Sequence, residues 1–170
     1  MDVSAGTAGP PSGVRDSQRS QVYAGEDAWG LRLDAARRGA GRAEVAGSSV
    51  LLPRELLFGS LEAAQTYASR QLASWPVPAV RLRTRRGQGQ AHWEAPGVIA
   101  LPVPAHGVPW AMRESVLLHE LAHHLAFHLD GVSDHGSAFT ARMLELVTSA
   151  LGPEAALALR VDWAAAGVVA

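Results

Sequence analysis

The most constraining feature of this chain is an apolar run between residues 110 and 129 that surrounds the segment His-Glu-Leu-Ala-His. If this run is a helix, apolar side chains cover nearly all of its circumference. Such a helix is stable in a globular protein only when it is buried. We therefore expect a central helix, from residue 110 or 111 to about residue 129, against which the other elements pack.

The two histidines of this segment, His119 and His123, are four residues apart. On an α-helix this spacing places the two side chains about 40° apart, so both imidazoles lie on one face. Two neutral imidazole nitrogens in that arrangement can bind one zinc ion. Glu120 is next to His119 and can accept a proton from a metal-activated water without being a ligand. The spacing therefore predicts a zinc site with Glu120 as its general base.

A zinc site that keeps one coordination position for water needs a third protein ligand. We expect His135 in this role, because the central helix ends before it and the chain can then fold back. Gly136 gives the backbone room there, and Phe139 is expected to anchor the returning segment to the core. Two carboxylates are alternative third ligands, Asp134 beside His135 and Glu145 on the following helix.

A second histidine pair, His124 and His128, has the same four-residue spacing. On the helix this pair points about 100–140° away from the first. We therefore interpret it as packing or surface polarity and not as a second metal site.

Hydrolysis at such a site also needs a donor to the oxygen that becomes negatively charged. The sequence does not choose among the available donors. The candidates are Tyr23, His92, His106 and Arg113.

The rest of the chain predicts an α+β fold in which helices flank a small antiparallel sheet. Residues 1–20 are rich in Gly, Ser, Ala and Pro and predict a disordered tail, so the folded domain is expected to span residues 21–170. We expect one or two helical pieces within 21–46 and further helices at about 60–73, 137–150 and 153–166. Strands are expected at 80–85, 91–95 and 98–103.

Pro102 and Pro104 indicate that the third of these strands ends early or lies at a sheet edge. An edge strand near the site can hold an extended peptide through backbone hydrogen bonds. We expect residues 98–101 to have this role, and the hypothesis fails if the strand is central in its sheet.

Composition excludes several classes of function. The chain has 170 residues, a net charge of -1 and no cysteine. Disulfides and thiol catalysis are excluded, and the overall charge gives no general reason to bind nucleic acid. The local ridge of Arg81, Arg83, Arg85 and Arg86 is interpreted as the solvated face of a strand. No apolar run is long enough to span a membrane and the N-terminus lacks a secretory pattern, so we expect a cytoplasmic protein.

The segment from His119 to His123, followed by His135-Gly136-Ser137-Ala138-Phe139, resembles the zinc site of SprT-like metalloproteases and the minimal zincin-like fold around it. In that family the third ligand is a histidine in a His-Gly-x-x-Phe setting at the start of the next helix. The resemblance implies His119, His123 and His135 as zinc ligands and Glu120 as catalytic base. The cysteine zinc ribbon that often follows the family's protease core is absent here, so nucleic acid is not an expected partner.

The opening segment, residues 15–26, resembles the start of a largely actinobacterial family of small metallohydrolases. This second resemblance implies that the chain is ordered from about residue 15 and packs over the site, close to Tyr23. Together the resemblances imply a zinc-dependent metallohydrolase, in particular a metallopeptidase acting on a peptide or protein substrate. The alternatives are a non-catalytic metal-binding or partner-binding module and a DNA-associated protease.

Overall fold

The computed structural model describes residues 16–86, 89–102 and 110–170. This part of the chain contains helices and short strands in mixed order, which confirms the α+β class. The helices are α1 Arg19–Arg38, α2 Leu61–Leu72, α3 Glu114–Leu125, α4 Ser137–Leu151 and α5 Pro153–Ala165. The strands are β1 Arg42–Val45, β2 Ser48–Leu51, β3 Arg81–Arg85, β4 His92–Glu94 and β5 Val98–Pro102.

Helix α3 lies at the centre of the molecule, as its apolar circumference predicts. Four of its leucines have no exposed surface: Leu117, Leu118, Leu121 and Leu125. Helix α4 packs on α3, α5 packs on α4, and α1 packs on α5. Residues 117–125 of α3 are all buried, so the polar side chains among them need partners inside the protein.

The central helix is shorter and less regular than we expected. A 3₁₀ turn at Trp110–Met112 precedes it, and Arg113 between them is extended. The Arg113 guanidinium donates to Glu55 at 2.6 Å, and a Glu55 carboxylate oxygen accepts from the Ser115 N–H at 2.9 Å. A side chain from a distant loop thus satisfies a free N–H at the helix start, which sets where α3 begins.

Helix α2 begins where the sequence indicates. The Ser60 hydroxyl accepts a hydrogen bond from the Ala63 N–H at 3.1 Å, and the helix ends at Leu72 before the Trp-Pro segment. Its apolar stripe, Ala64, Ala68 and Leu72, is buried. This local cap and stripe explain why the element was predictable.

We expected helical pieces throughout residues 21–46, but residues 42–51 form a β-hairpin. Helix α1 ends at Arg38, and β1 pairs antiparallel with β2. Ala46 and Gly47 both have positive φ, the combination needed for a tight two-residue turn. Arg42–Val45 is therefore a strand because of this turn and its cross-strand partners, which local propensity does not show.

The three-stranded sheet is mixed, not antiparallel as predicted. Its order is β3-β5-β4, with β5 parallel to β3 and antiparallel to β4. Strand β5 is therefore central, and Ile99, Ala100 and Leu101 are fully buried. The hypothesis that residues 98–101 hold a substrate is wrong, because both edges of this strand are already paired.

In β3 Leu82 is buried between the more exposed Arg81 and Arg83, but Thr84 is exposed, so the burial does not alternate along the whole strand. On the outer face Arg83 forms an ion pair with Glu94 at 2.5 Å. The positive charge of the arginine ridge is thus partly neutralised by Glu94 of β4.

The N-terminal helix begins earlier than expected. Arg19 and Ser20 belong to α1, and Asp16 contacts His135, although we expected residues 1–20 to be a tail. Residues 1–15 of that predicted tail lie outside the described residues. Helix α1 is fixed to α5 by hydrogen bonds from the indole N–H groups of Trp29 and Trp163, to the carbonyls of Ala155 and Val22.

Among the described residues, no helix is both long enough and apolar enough to cross a lipid bilayer.

Candidate metal centre

Three histidines converge at one point in the interior. His119 and His123 lie on α3, and His135 lies just before α4. Their exposed fractions are 4%, 8% and 4%. The Nε2 atom of His135 is 3.2 Å from Nε2 of His123 and 3.4 Å from Nε2 of His119. The structure thus brings together the three side chains predicted as ligands.

The spacing of these nitrogens fits a single zinc ion. Zinc–nitrogen bonds of about 2.0–2.1 Å at tetrahedral angles require ligand nitrogens about 3.3–3.4 Å apart. The two measured separations agree with this value. Among the described residues, these histidines form a cluster whose ligand atoms lie within 4.8 Å of one another. Three imidazoles that leave a fourth position open are a donor set typical of catalytic zinc.

Local geometry explains how His135 returns to the helix. A π-helical turn, Ala126–Asp130, ends the helical run, and Gly131 follows with a left-handed φ of 71°. Phe139, one turn into α4, packs against all three imidazoles at centroid distances of 4.5–4.9 Å. This phenylalanine anchors the returning segment, as expected from the sequence.

The alternative third ligands lie elsewhere. An Asp134 carboxylate oxygen accepts from the Gly136 N–H at 2.9 Å and so shapes the turn before α4. Glu145 accepts from Arg142 at 2.9 Å and its side chain is half exposed. Neither carboxylate belongs to the cluster of potential ligands.

Two carboxylates that we did not predict contact the outer nitrogens of the cluster. Glu26 lies 2.8 Å from Nδ1 of His119, and Asp16 lies 2.6 Å from Nδ1 of His135. Asp16 also accepts from the backbone N–H of His135 at 3.1 Å. Both residues belong to the opening segment, residues 15–26. The position of neither one in the sequence predicts a contact with a histidine.

The electrostatic environment differs among the three imidazoles. Burial and the two neighbouring imidazoles lower the pKa of His123 to about 2, so this ring is neutral. Burial also lowers the pKa of His135. At His119 burial acts in the same direction, but the Glu26 carboxylate outweighs it and raises the pKa. A bound cation would have to compete with a proton mainly at His119.

Glu120 is buried beside the cluster, with an exposed fraction of 3%. Burial raises the pKa of its carboxyl, although the His119 imidazole and a backbone hydrogen bond from Trp93 act in the opposite direction. A carboxylate with a raised pKa is a stronger proton acceptor than one in water.

Tyr23, on α1, covers the cluster. Its ring stacks on His119 at a centroid distance of 5.2 Å and lies 5.3 Å from His135. Burial and the nearby Glu120 carboxylate raise the pKa of the phenol, so it stays protonated and able to donate. Of the three predicted donors that the structure describes, Tyr23 is the one that contacts the histidine cluster.

The other predicted donors have different surroundings. Arg113 is held by Glu55 and Asp34. His92 lies between Arg85, at 2.8 Å from Nδ1, and Glu94, at 2.8 Å from Nε2. His106 lies outside the described residues.

Two cavities of about 270 and 540 Å³ flank the cluster. The smaller lies on the His119 side, and the larger lies on the side of His123 and His135. Both are lined by Tyr23, Gln90, Ala91 and Glu120. Glu120 and Tyr23 thus stand at the middle of a cleft that continues to either side.

The second histidine pair makes contacts to backbone and indole groups. The Trp93 indole N–H donates to Nδ1 of His124 at 3.2 Å, and His124 Nε2 lies 2.8 Å from the Pro78 carbonyl oxygen. His128 Nε2 lies 2.6 Å from the Pro96 carbonyl oxygen. These contacts agree with the predicted packing role.

A family model described as SprT-like matches residues 61–158, which is more than half of the chain. The matched span includes the three histidines and Glu120, whereas Asp16, Tyr23 and Glu26 precede it. Comparison with curated proteins and with solved structures gives no match.

Proposed function

Because the chain belongs to the SprT-like family, we propose that it is a zinc-dependent metallopeptidase with a zincin-like fold. Its zinc would be held by His119, His123 and His135. The observation that carries the proposal is the separation of 3.2 and 3.4 Å between their Nε2 atoms, with the buried Glu120 beside them. A purely structural zinc site has no use for that carboxylate.

Held by these three histidines, zinc would supply Lewis-acid chemistry that polarises a carbonyl and activates water near neutral pH. The Glu120 carboxylate accepts the proton of the attacking water and delivers it to the leaving amine. Burial raises the pKa of Glu120 and so brings it closer to neutral pH than the pKa of a carboxyl group in water. A group with such a pKa can both accept the proton from water and release it to the amine.

The Tyr23 phenol donates a hydrogen bond to the carbonyl oxygen as negative charge develops on it. Stacking on His119 holds the ring in place, so little reorganisation is needed during the reaction. This assigns the donor role to one of the four residues that the sequence left open.

The cleft suits an extended chain. Residues 90–93, at and before β4, line the larger cavity, and β4 pairs with β5 on one edge. A peptide lying in the cleft would run beside β4 and could form backbone hydrogen bonds with it. Strand β4 therefore takes the role that we first expected of residues 98–101.

Elemental analysis of the purified protein tests the metal centre. We expect about one zinc per chain, as a three-histidine site requires. His135→Ala should lose most of this zinc, whereas His128→Ala should keep it because His128 contacts the Pro96 carbonyl and neighbouring rings and is not part of the cluster. Equal zinc content in the two variants would contradict the assignment of His135.

Glu120→Gln tests the chemistry separately. The variant should retain zinc but lose about 10²- to 10⁴-fold in turnover of a casein or mixed-peptide substrate, because the amide cannot accept a proton. Glu145→Gln, on the outer side of α4, is the matched control and should be as active as the unmodified protein. Turnover that survives Glu120→Gln would refute the mechanism, and zinc binding without any turnover in the unmodified protein would favour a non-catalytic module.

A further inference from the structure

The metal centre extends beyond its three histidines into the N-terminal part of the chain. Glu26 places its carboxylate oxygens 2.8 and 3.0 Å from Nδ1 of His119. Asp16 places one oxygen 2.6 Å from Nδ1 of His135 and the other 3.1 Å from the backbone nitrogen of the same residue. Each contact is made on the side of the ring that faces away from the other histidines.

These contacts determine which ring nitrogen carries the proton. A neutral imidazole has one N–H and one lone pair, and an ionised carboxylate can only accept. Each ring must therefore carry its proton on Nδ1, which leaves a lone pair on Nε2. The Nε2 atoms of His119 and His135 are 3.4 Å apart and face the same point, so both lone pairs are directed where a cation would bind.

The chain segment that carries the two carboxylates is held in place by contacts that do not involve the histidines. On α1, the Arg32 guanidinium donates to Asp162 of α5 at 2.8 Å, and the Trp29 indole bonds to the Ala155 carbonyl. Just before α1, the Gln18 side chain accepts from the Val169 N–H at 2.7 Å. The C-terminal part of the chain thus holds α1 and the segment before it against the site.

We infer that Asp16 and Glu26 are positioning residues of the metal centre, which hold His135 and His119 in the Nδ1–H form and thereby raise metal affinity. The inference rests on the proposed function for the identity of the ion. Both residues lie before the span that matches the family, so they are a contribution of this chain's own N-terminal segment.

The direct test is the tautomer of each histidine in metal-free protein labelled with ¹⁵N-histidine, measured by NMR in alkaline buffer where the rings are neutral. We expect the Nδ1–H form at His119 and His135 in the unmodified protein. Glu26→Ala should release His119, and Asp16→Ala should release His135, toward the Nε2–H form. Zinc affinity, measured by competition with a chelator, should fall about 10- to 100-fold in each variant.

Conservative variants distinguish positioning from general structure. Glu26→Gln should restore most of the affinity, because its amide oxygen can still accept from Nδ1–H. Asp16→Asn should restore less of the zinc affinity. Both Asp16 oxygens accept hydrogen bonds, from the backbone N–H and from Nδ1–H of His135, and the amide nitrogen of asparagine cannot accept either one. Ser17→Ala and Asp27→Ala are the matched neighbours, and they should leave the tautomers and the zinc affinity unchanged.

Unchanged tautomers in both alanine variants would overturn the inference, and so would zinc affinities equal to those of the neighbouring controls. Circular dichroism shows whether each variant is folded. If an alanine variant unfolds, Asp16→Asn carries the test, because it should bind zinc more weakly than the unmodified protein, and an equal affinity would then overturn the inference. An unmodified protein that binds no zinc would refute the proposed function, whereas the tautomers would still report on Asp16 and Glu26.

Discussion

Tyr23 belongs to the N-terminal helix α1, and its phenol lines the cleft together with Glu120. The ring stacks on His119, and its raised pKa reflects burial and the nearby Glu120 carboxylate. A hydroxyl in such a place can act on the substrate without contributing to metal binding. Its effect on rate is therefore separable from its effect on structure.

Replacing Tyr23 with Phe should lower kcat by about 10²- to 10³-fold, the usual cost of losing one donor to a developing oxyanion. Zinc content should not change, because the stacked ring remains. Steady-state kinetics with a cleavable peptide, together with elemental analysis, measure both quantities.

Tyr67→Phe is the matched control, because the Tyr67 hydroxyl donates to Glu114 at 2.5 Å beside the start of α3 and does not line the cleft. This control should lose about 1 kcal/mol of stability and retain its kcat. A Tyr23→Phe enzyme as active as the Tyr67→Phe enzyme would exclude the donor role.

At the scale of elements, the close contact between α1 and α5 holds the N-terminal segment against the site. A Cβ atom on Gly25 would lie 2.5 Å from Trp163 Cδ1 and 3.0 Å from Trp163 Cα. The glycine is therefore required by the closeness of the two helices and not by backbone conformation.

Gly25→Ala should lower the free energy of unfolding by about 1–3 kcal/mol, because the methyl group forces the two helices apart. On the same helix, a methyl group added at Gly30 would have nothing within 4 Å of it, so Gly30→Ala should instead raise the free energy of unfolding by up to about 1 kcal/mol. Urea denaturation followed by circular dichroism measures both. Equal effects at the two positions would contradict the packing argument.

A second link between elements joins the turn after α3 to α4. The Arg142 guanidinium donates two hydrogen bonds to Asp130, each of 2.9 Å, and holds the pKa of that carboxyl below its usual range. Because the folded-state pKa is the lower one, the pair stabilises the protein above the unfolded-state pKa of about 3.9. The stabilisation is lost as pH falls through the folded-state pKa.

Asp130→Asn should therefore cost about 0.5–1 kcal/mol of unfolding free energy at pH 7, the range for a partly exposed ion pair. The difference between the two proteins should disappear at acid pH, where Asp130 is protonated in both states. Urea titrations across the pH range test this, and a constant difference at all pH values would be inconsistent with the ion pair as its cause.

At the scale of the whole molecule, charge is balanced. The net charge is -1, and on the outer face of β3 Arg83 is paired with Glu94. Because the 15 basic side chains are balanced by 16 acidic ones, the overall charge gives no general attraction to DNA phosphates. A DNA-associated role is therefore the weaker alternative for this chain.

We expect no tight binding to duplex DNA, measured by fluorescence anisotropy at about 50 and 200 mM salt. A protein that makes many phosphate contacts would lose about 10³- to 10⁵-fold in affinity over that interval. Such a loss from tight binding at low salt would support the DNA-associated alternative instead.

Features that depend on residues close together in the chain could be predicted from the sequence. The four-residue spacing of His119 and His123, the apolar circumference of α3 and the Ser60 cap all follow from the geometry of one turn of helix. His135 could be predicted because a short link after a helix keeps the next residues within reach of that helix.

Contacts between segments that are distant in the chain became visible only in the folded protein. The Glu26–His119 and Asp16–His135 contacts join residues 93 and 119 positions apart, and no local pattern encodes such pairs. The central place of β5 likewise depends on pairing with both β3 and β4, whereas its prolines indicated an edge. Periodicity reports which face of an element is buried, but not which element covers it.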